Sequence, residues 1–186
     1  MEFFDLVDAD GMPTGGAVSR EEAHRLGILH RTTHTWVVRR QNGRWQALLQ
    51  KRSENKDSYP GRYDTSSAGH IPAGTEPLDS ALRELAEELG IRASAEELTF
   101  AGKFRVGFEE IFHGALFRDD EIAWVYVYDR PVDAASLPLQ AEEVSAVEWF
   151  DVEAVKKFVA EEDSRFCVTP QGLAVLTAYL AKEDDR

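Results

Sequence analysis

Apolar residues along this chain recur at two periods, and the switches between them mark its elements. Alternation of β-branched, aromatic and polar residues predicts strands over Phe3–Val7, His30–Arg40, Trp45–Arg52, Tyr63–Ala68, Phe100–Phe108, Ile122–Tyr128 and Val144–Phe150. Asn42-Gly43 is a strong hairpin signal between two of them, because both central positions of that turn need positive φ. Helical spacing takes over elsewhere. Ser19-Arg20-Glu21-Glu22 fits a capping box and starts a short helix that Gly27 ends. Thr75 as N-cap and Pro77 in the first turn open a longer helix that Gly90 stops. Asp151 caps a helix to about Ala160, with Val152, Val155 and Phe158 on one side. Thr169-Pro170 opens a last amphipathic helix carrying Leu173, Leu176 and Leu180. Ser53–Arg62 reads as a polar loop, Ala93–Leu98 as a connection, Glu109–Glu121 as a less regular segment and the terminal KEDDR as a frayed tail. Strands interrupted by helices predict a layered α/β (α+β) fold around a mixed sheet. The expectation is a single domain over 1–186, with an N-terminal extension at 1–29 and C-terminal helices at about 151–182.

The stretch Gly69–Ile91, GHIPAGTEPLDSALRELAEELGI, carries the densest chemistry. At 100° per residue, Glu84, Glu87 and Glu88 fall within an arc of about 100°, while Leu78, Leu82, Leu85 and Leu89 share another face. The leucines are expected in the core and the three carboxylates together on the opposite side. Like charges one turn apart repel by a few tenths of a kcal/mol. Concentrating them beside a Gly-rich loop fits a site for a hard divalent cation such as Mg²⁺, which bridges carboxylates to substrate phosphates. A solvated acidic helix face is the ordinary alternative in so acidic a chain.

The ordered pattern separates these readings. It resembles the Nudix box, G-x5-E-x7-R-E-U-x-E-E-x-G-U with U bulky and aliphatic, at Gly69, Arg83, Glu84, Leu85, Glu87, Glu88, Gly90 and Ile91. One position departs: Thr75 stands where the box has its first Glu, and Glu76 is displaced by one residue. The resemblance implies an α/β/α sandwich and Mg²⁺- or Mn²⁺-dependent hydrolysis of a diphosphate linkage in a nucleoside diphosphate-X or related organic diphosphate. By that resemblance Glu84, Glu87 and Glu88 are catalytic metal ligands, the Gly69 carbonyl adds a ligand, and Arg83 orients Glu87. The general base of such enzymes is often a glutamate, here Glu109, Glu110 or Glu121, with Glu121 ranked first. Arg52 is the candidate for holding phosphate, since a guanidinium offers bidentate contacts. Paired surface charge is the alternative for Arg52 and the better reading for Arg39, Arg40 and Lys51.

Composition narrows the partners. The chain has 186 residues, enough for a real core, and a net charge of −13 with no basic run. That balance argues against broad nucleic-acid or acidic-membrane binding and leaves a small phosphorylated substrate open. A homodimer is compatible with the sequence, and no residue forces it. Cys167 is the single cysteine, so no intrachain disulfide forms, and it reads as a small, partly buried hydrophobe. MEFFDLVDADG lacks the pattern of a signal peptide, and no run approaches a membrane span, so cytoplasm is the expected compartment.

A finer resemblance lies in the flanks. FFDLVDADG, GILHRTTHTW and LLQKRSENKDSYPGRYDTSSAGHIPAG are similar to the Nudix branch holding isopentenyl-diphosphate isomerases and their hydrolase-like relatives. Those isomerases hold a metal through three histidines and two acidic residues. The matching positions are His30, His70 and His24 with Asp119 and Glu121, implying a second metal site. Spacing alone gives no metal-ligand interval, and hydrogen-bonded histidines are the plainer reading. Ala68 stands where the isomerase pattern has its essential cysteine before Gly-His, and the intact Arg83-Glu84 and Glu87-Glu88 favour hydrolysis. An isomerase and a non-catalytic nucleotide-sensing module are the rival readings.

Overall fold

The protein is described here from a computed structural model covering residues 2–112 and 114–185. Strands β1 (Phe3–Val7) and β2 (Pro13–Ser19) form an antiparallel hairpin that leads into α1 (Arg20–Leu26). The β2 strand has no counterpart in the sequence reading, because PTGGAVS lacks alternation. Local chemistry sets the ends of α1: Ser19 Oγ accepts from the Glu22 N–H at 3.2 Å, and Gly27 caps the C-terminus at φ +67°.

The main sheet is built on β3 (His30–Gln41) and β8 (Ala115–Tyr128), which run parallel. One edge of β3 is shared, its first half by β6 (Ser67–His70) and its second half by β4 (Arg44–Arg52). β4 also pairs β5 (Tyr63–Asp64) and β9 (Val144–Asp151), and β8 pairs β7 (Thr99–Phe112). Every pairing except β3–β8 is antiparallel, so the sheet is mixed. The β3–β4 turn has Asn42 at φ +51° and Gly43 at φ +76°.

Alternation along the strands divides the core into two layers. Trp36, Val38, Ala47, Leu49, Ala123, Val125 and Val127 pack under α3 (Val152–Ala160) and α4 (Pro170–Asp184), through Val152, Val155, Leu173, Leu176 and Leu180. On the opposite face Val37, Leu48, Ile122, Trp124 and Tyr126 meet Ala81, Leu85 and Leu89 of α2 (Pro77–Leu89). Helices therefore cover both faces. The residues 1–29 expected as an extension hold a small core of their own around Phe4, Val18 and Ala23. Asp5 docks this unit by an ion pair to the buried Arg31 at 2.6 Å and a bond from Gly74 N–H at 3.0 Å.

Several expectations need correction. The α2 N-cap is Glu76 rather than Thr75, because the Thr75 N–H is drawn back to Pro72 O at 3.0 Å and Ser80 N–H takes Glu76 O. Tyr63–Ala68 is two short strands, β5 and β6. Glu109–Glu121 is not irregular: it belongs to a long β7–β8 ladder paired to Phe112↔Ala115, with Gly114 at φ +80°. Both faces of that ladder beyond the sheet carry mixed polar and aromatic residues, which hides the period. The 93–98 connection contains a short 3₁₀ turn at Ala95–Glu97 with its own capping box at Ser94. The tail is helical to Asp184, whose carboxylate accepts from Trp45 Nε1 at 3.0 Å and pairs with Arg40 at 2.9 Å. His113 and Arg186, within two of these expectations, lie outside the described residues. Among the described residues no helix is long and apolar enough to cross a membrane.

Candidate functional site

The helix α2 carries its acidic residues to the rim of a cavity of about 370 Å³. The floor is the end of the sheet nearest His30: Ala68 and His70 of β6, Thr32 and His34 of β3, Asp119 and Glu121 of β8, and Val106 and Phe108 of β7.

The three carboxylates do not project as one set. Glu88 is buried, its Oε2 accepting from Gln50 Nε2 at 3.3 Å and from the Ala68 N–H at 3.2 Å. Glu84 lies against Gly69, where an added Cβ would stand 2.2 Å from its Cδ. Gly69 is therefore not a loop residue but a strand position whose missing side chain leaves the space Glu84 occupies. Glu87 is half-exposed and turned to Arg83, whose Nη1 donates to its Oε2 at 3.2 Å. Arg83 Nη2 pairs with Glu84 Oε1 at 2.8 Å and donates to His70 O at 3.3 Å, tying helix to strand.

Burial pushes the carboxyls of Glu84 and Glu88 up to about 7 each, and neighbouring negative charge adds to it, Glu87 on Glu84 and Glu84 on Glu88. Two desolvated oxygen donors beside a side-chain-free strand position fit a small hard cation.

A second group lies on the same floor. Ligand atoms of His24, His30 and His70 come within 4.8 Å of one another, as do those of His30, Asp119 and Glu121. Glu84, Glu87 and Glu88 are not gathered in this way. Three separate elements meet here: α1 brings His24, β3 brings His30, and β6 brings His70. Phe4 lies stacked against both His30 and His70, with ring centroids 4.8 and 4.6 Å away. His30 Nδ1 is bonded to Ile28 O at 2.8 Å, which leaves Nε2 facing Asp119 Oδ1 at 3.5 Å. His24 Nε2, His30 Nε2 and Asp119 Oδ1 are buried without a hydrogen-bond partner.

Burial pushes His24 down to about 4, lowers His30, and holds His70 well below the usual imidazole range. Burial and the Glu121 charge push Asp119 up to about 8. These groups therefore face each other largely uncharged rather than as ion pairs, which is the state in which imidazole ligates metal. Glu121 behaves oppositely. Burial is the largest single influence and acts against its charge, but His34, with Nε2 at 3.4 Å, together with His30 and Thr32 holds its carboxyl below the usual range.

Other expected residues fall into different settings. Arg52 lines the cavity, but its guanidinium already donates to Ser58 O at 3.0 Å, Ser58 Oγ at 3.2 Å and Asp64 at 3.2 Å, fixing the 53–62 loop. Glu109 and Glu110 are exposed ladder residues rather than loop residues, and Glu109 pairs with Arg118 at 3.1 Å. Cys167 reaches the cavity wall, where burial pushes its thiol strongly up and Sγ points to Tyr63 O at 3.5 Å. Sequence reasoning passed over Arg20, Lys56 and His34, which also line the cavity. Arg20 pairs with Glu2 at 3.0 Å and Lys56 with Glu143. Only their position after Ser19 and within a polar loop precedes them in the sequence, and neither is a motif.

The NUDIX domain family model matches residues 29–168. Nudix hydrolase 3 of Arabidopsis thaliana is 39% identical over 89% of this chain, which spans 21% of that longer protein. An uncharacterised Nudix hydrolase of Clostridium acetobutylicum is 33% identical over 99% of this chain and 89% of its own length. An isopentenyl-diphosphate Delta-isomerase of Pectobacterium atrosepticum is 38% identical over 48% of each chain. Among solved structures, DR0079 of Deinococcus radiodurans has the same fold, with a TM-score of 0.68 at 19% identity over 96% of this chain and 99% of its own.

The raised Glu88 carboxyl makes stability depend on pH. The unfolded chain gives up this proton near the ordinary value of about 4.3, whereas the folded chain holds it to about 7. Between these values the native state binds more proton, so each rise in pH disfavours it. Glu88→Gln removes this loss. In metal-free chemical denaturation the variant should gain about 1–3 kcal/mol on the wild type from pH 5 to pH 8. Excess Mg²⁺ should cancel that gain at pH 8. A difference independent of pH would contradict the buried-carboxylate account.

Proposed function

The chain belongs to the NUDIX domain family and is a Nudix hydrolase, and from that premise we propose that it cleaves a substituted diphosphate with Glu84 and Glu88 holding Mg²⁺ or Mn²⁺. One observation carries this reading: two desolvated carboxylates, each with its carboxyl raised to about 7, converge on the strand that contains Gly69. Nudix hydrolases generally need divalent cations. When bound, the cation offsets phosphate-oxygen charge and lowers the pKa of a water.

The chain's own residues then divide the work. Arg83 holds Glu84 and Glu87 in position against the backbone of β6. Arg20, Lys56 and Arg52 supply positive charge along a cavity that also holds many acidic residues, and phosphate oxygens take up that charge. Glu121, kept ionised by His34, accepts the proton of the attacking water. The water oxygen bonds to one phosphorus, the bridging P–O bond breaks, and a phosphate or monophosphate leaves.

A second reading is favoured by the unpartnered buried atoms of His24, His30 and Asp119. With His70 and Glu121 they form a donor set of imidazoles and carboxylates suited to Mn²⁺, Fe²⁺ or Zn²⁺. This arrangement supports a second metal centre, in which Glu121 is a ligand rather than the base. It would serve an isomerase as well as a hydrolase. Isomerisation needs a proton donor and acceptor across the substrate, and Ala68 offers neither.

Release of phosphate from a panel of organic diphosphates, with Mg²⁺, with Mn²⁺ and with EDTA, tests the first reading. Turnover should require the cation and fall by on the order of 100-fold in Glu84→Gln and in Glu88→Gln. Glu87→Gln should lose less. Undiminished turnover in either of the first two variants would overturn the assignment. Metal content after Mn²⁺ loading and desalting tests the second centre. The wild type should retain one ion that His30→Ala loses and Glu88→Gln keeps, and a wild type retaining none would remove it.

A further inference from the structure

Four aromatic rings, three near the turn end of the β7–β8 hairpin and Tyr59 packed against them, belong to none of the three cores. Tyr59 lies 5.6 Å from Phe108 and 5.0 Å from Phe112, and Phe108 and Phe112 lie 6.1 and 5.9 Å from Phe117. All are only half-buried. The strand register puts Phe108, Phe112 and Phe117 on one face of the ladder and the exposed Ile111 and Leu116 on the other. A cluster of half-buried rings on a very acidic protein points to a ligand.

Its placement decides which. Tyr59, Phe108 and Phe117, with Val106, line the same cavity as Glu84 and Glu88. The floor runs from β6, against which α2 presents its carboxylates, across β3 and β8 to β7. Those three strand spacings amount to about 14 Å, room for a diphosphate and an organic group beyond it. Tyr59 has φ +47°, a left-handed conformation that bulky side chains rarely adopt. Arg52 grips Ser58 O and Oγ just ahead of it, and its ring packs against Phe108 and Phe112. Strain maintained by neighbouring contacts is common where a ring is presented to a ligand.

We propose that Tyr59, Phe108 and Phe117 receive the non-phosphate part of the substrate, and that this part is an uncharged group with an apolar face. The inference rests on the diphosphate-hydrolase reading and adds its specificity element. An anionic group meets the charge of Glu110, beside the Tyr59 ring. A cationic group meets Arg62, whose guanidinium already lies 5.1 Å from the Tyr59 ring centroid.

The test compares kcat/KM for 2-phenylethyl, hexyl, methyl and 2-(trimethylammonio)ethyl diphosphates in wild type, Tyr59→Ala, Tyr59→Phe and Phe108→Ala. The wild type should prefer the phenylethyl or hexyl compound to the methyl compound by about tenfold or more. Tyr59→Ala and Phe108→Ala should each cut that ratio by about tenfold, mainly through KM, and Tyr59→Phe should retain it. Phenylethyl ahead of hexyl identifies ring stacking, and hexyl ahead identifies aliphatic cover; either supports the assignment. A ratio unchanged in both alanine variants, or a wild-type preference for the methyl or cationic compound, would overturn it. Wild-type cleavage of all four without preference sinks this inference alone. Cleavage of none, with either cation, sinks the hydrolase reading and this inference with it.

Discussion

The site depends on two carboxylates being carried out of water next to a strand position with no side chain. Glu84 and Glu88 sit one turn apart on α2, whose other face is fixed in the core by Ala81, Leu85 and Leu89. The core contact leaves the helix little freedom to slide or rotate. Gly69 lets it approach β6 closely, since any Cβ would occupy the place of the Glu84 carboxyl. Burying two carboxylates is costly even with Arg83 paired to Glu84, and in the metal-free chain protonation relieves it. In the proposed reading a divalent cation is the stronger form of relief, which would link folding, cation binding and pH through one pair of residues.

The rest of the architecture supplies what that pair lacks. The parallel β3–β8 pairing sets His30 opposite Glu121, and the antiparallel β3–β6 pairing sets His34 opposite Ala68. The N-terminal hairpin closes the arrangement by placing Phe4 against His30 and His70 and by anchoring Asp5 to Arg31. A segment that reads as an extension in sequence is thus a wall of the candidate site. The cavity gathers acidic, basic and aromatic side chains along one strip of sheet, which the proposed reading assigns to a cation, to phosphate and to an organic group.

Local signals were the legible part of the sequence. Ser19 and Gly27, Asn42-Gly43, Gly90 and Thr169-Pro170 set element ends by chemistry that acts within a few residues, and the structure keeps each of them. Thr75 failed as a cap because a turn from Pro72 claims its N–H. The box was readable as an ordered pattern, and the family match agrees with it. The Arg83–Glu87 pair expected from the sequence is present, but the box did not reveal that Gly69 is a strand residue making room for Glu84. The histidine cluster had no spacing signal because His24, His30 and His70 come from three elements. Arg20, Lys56 and His34 acquire meaning only through residues distant in the chain, as His34 does through Glu121.

Hydrolysis places solvent oxygen on phosphorus, whereas isomerisation leaves the diphosphate intact, so the fate of solvent oxygen is the most direct test of the central claim. The measurement is ³¹P NMR of products formed in ¹⁸O-enriched water with the best diphosphate substrate and Mg²⁺. The account predicts one ¹⁸O atom in a single phosphate-bearing product, with no label gained in Glu88→Gln over the same time. Conversion of substrate to a rearranged diphosphate without ¹⁸O would contradict it.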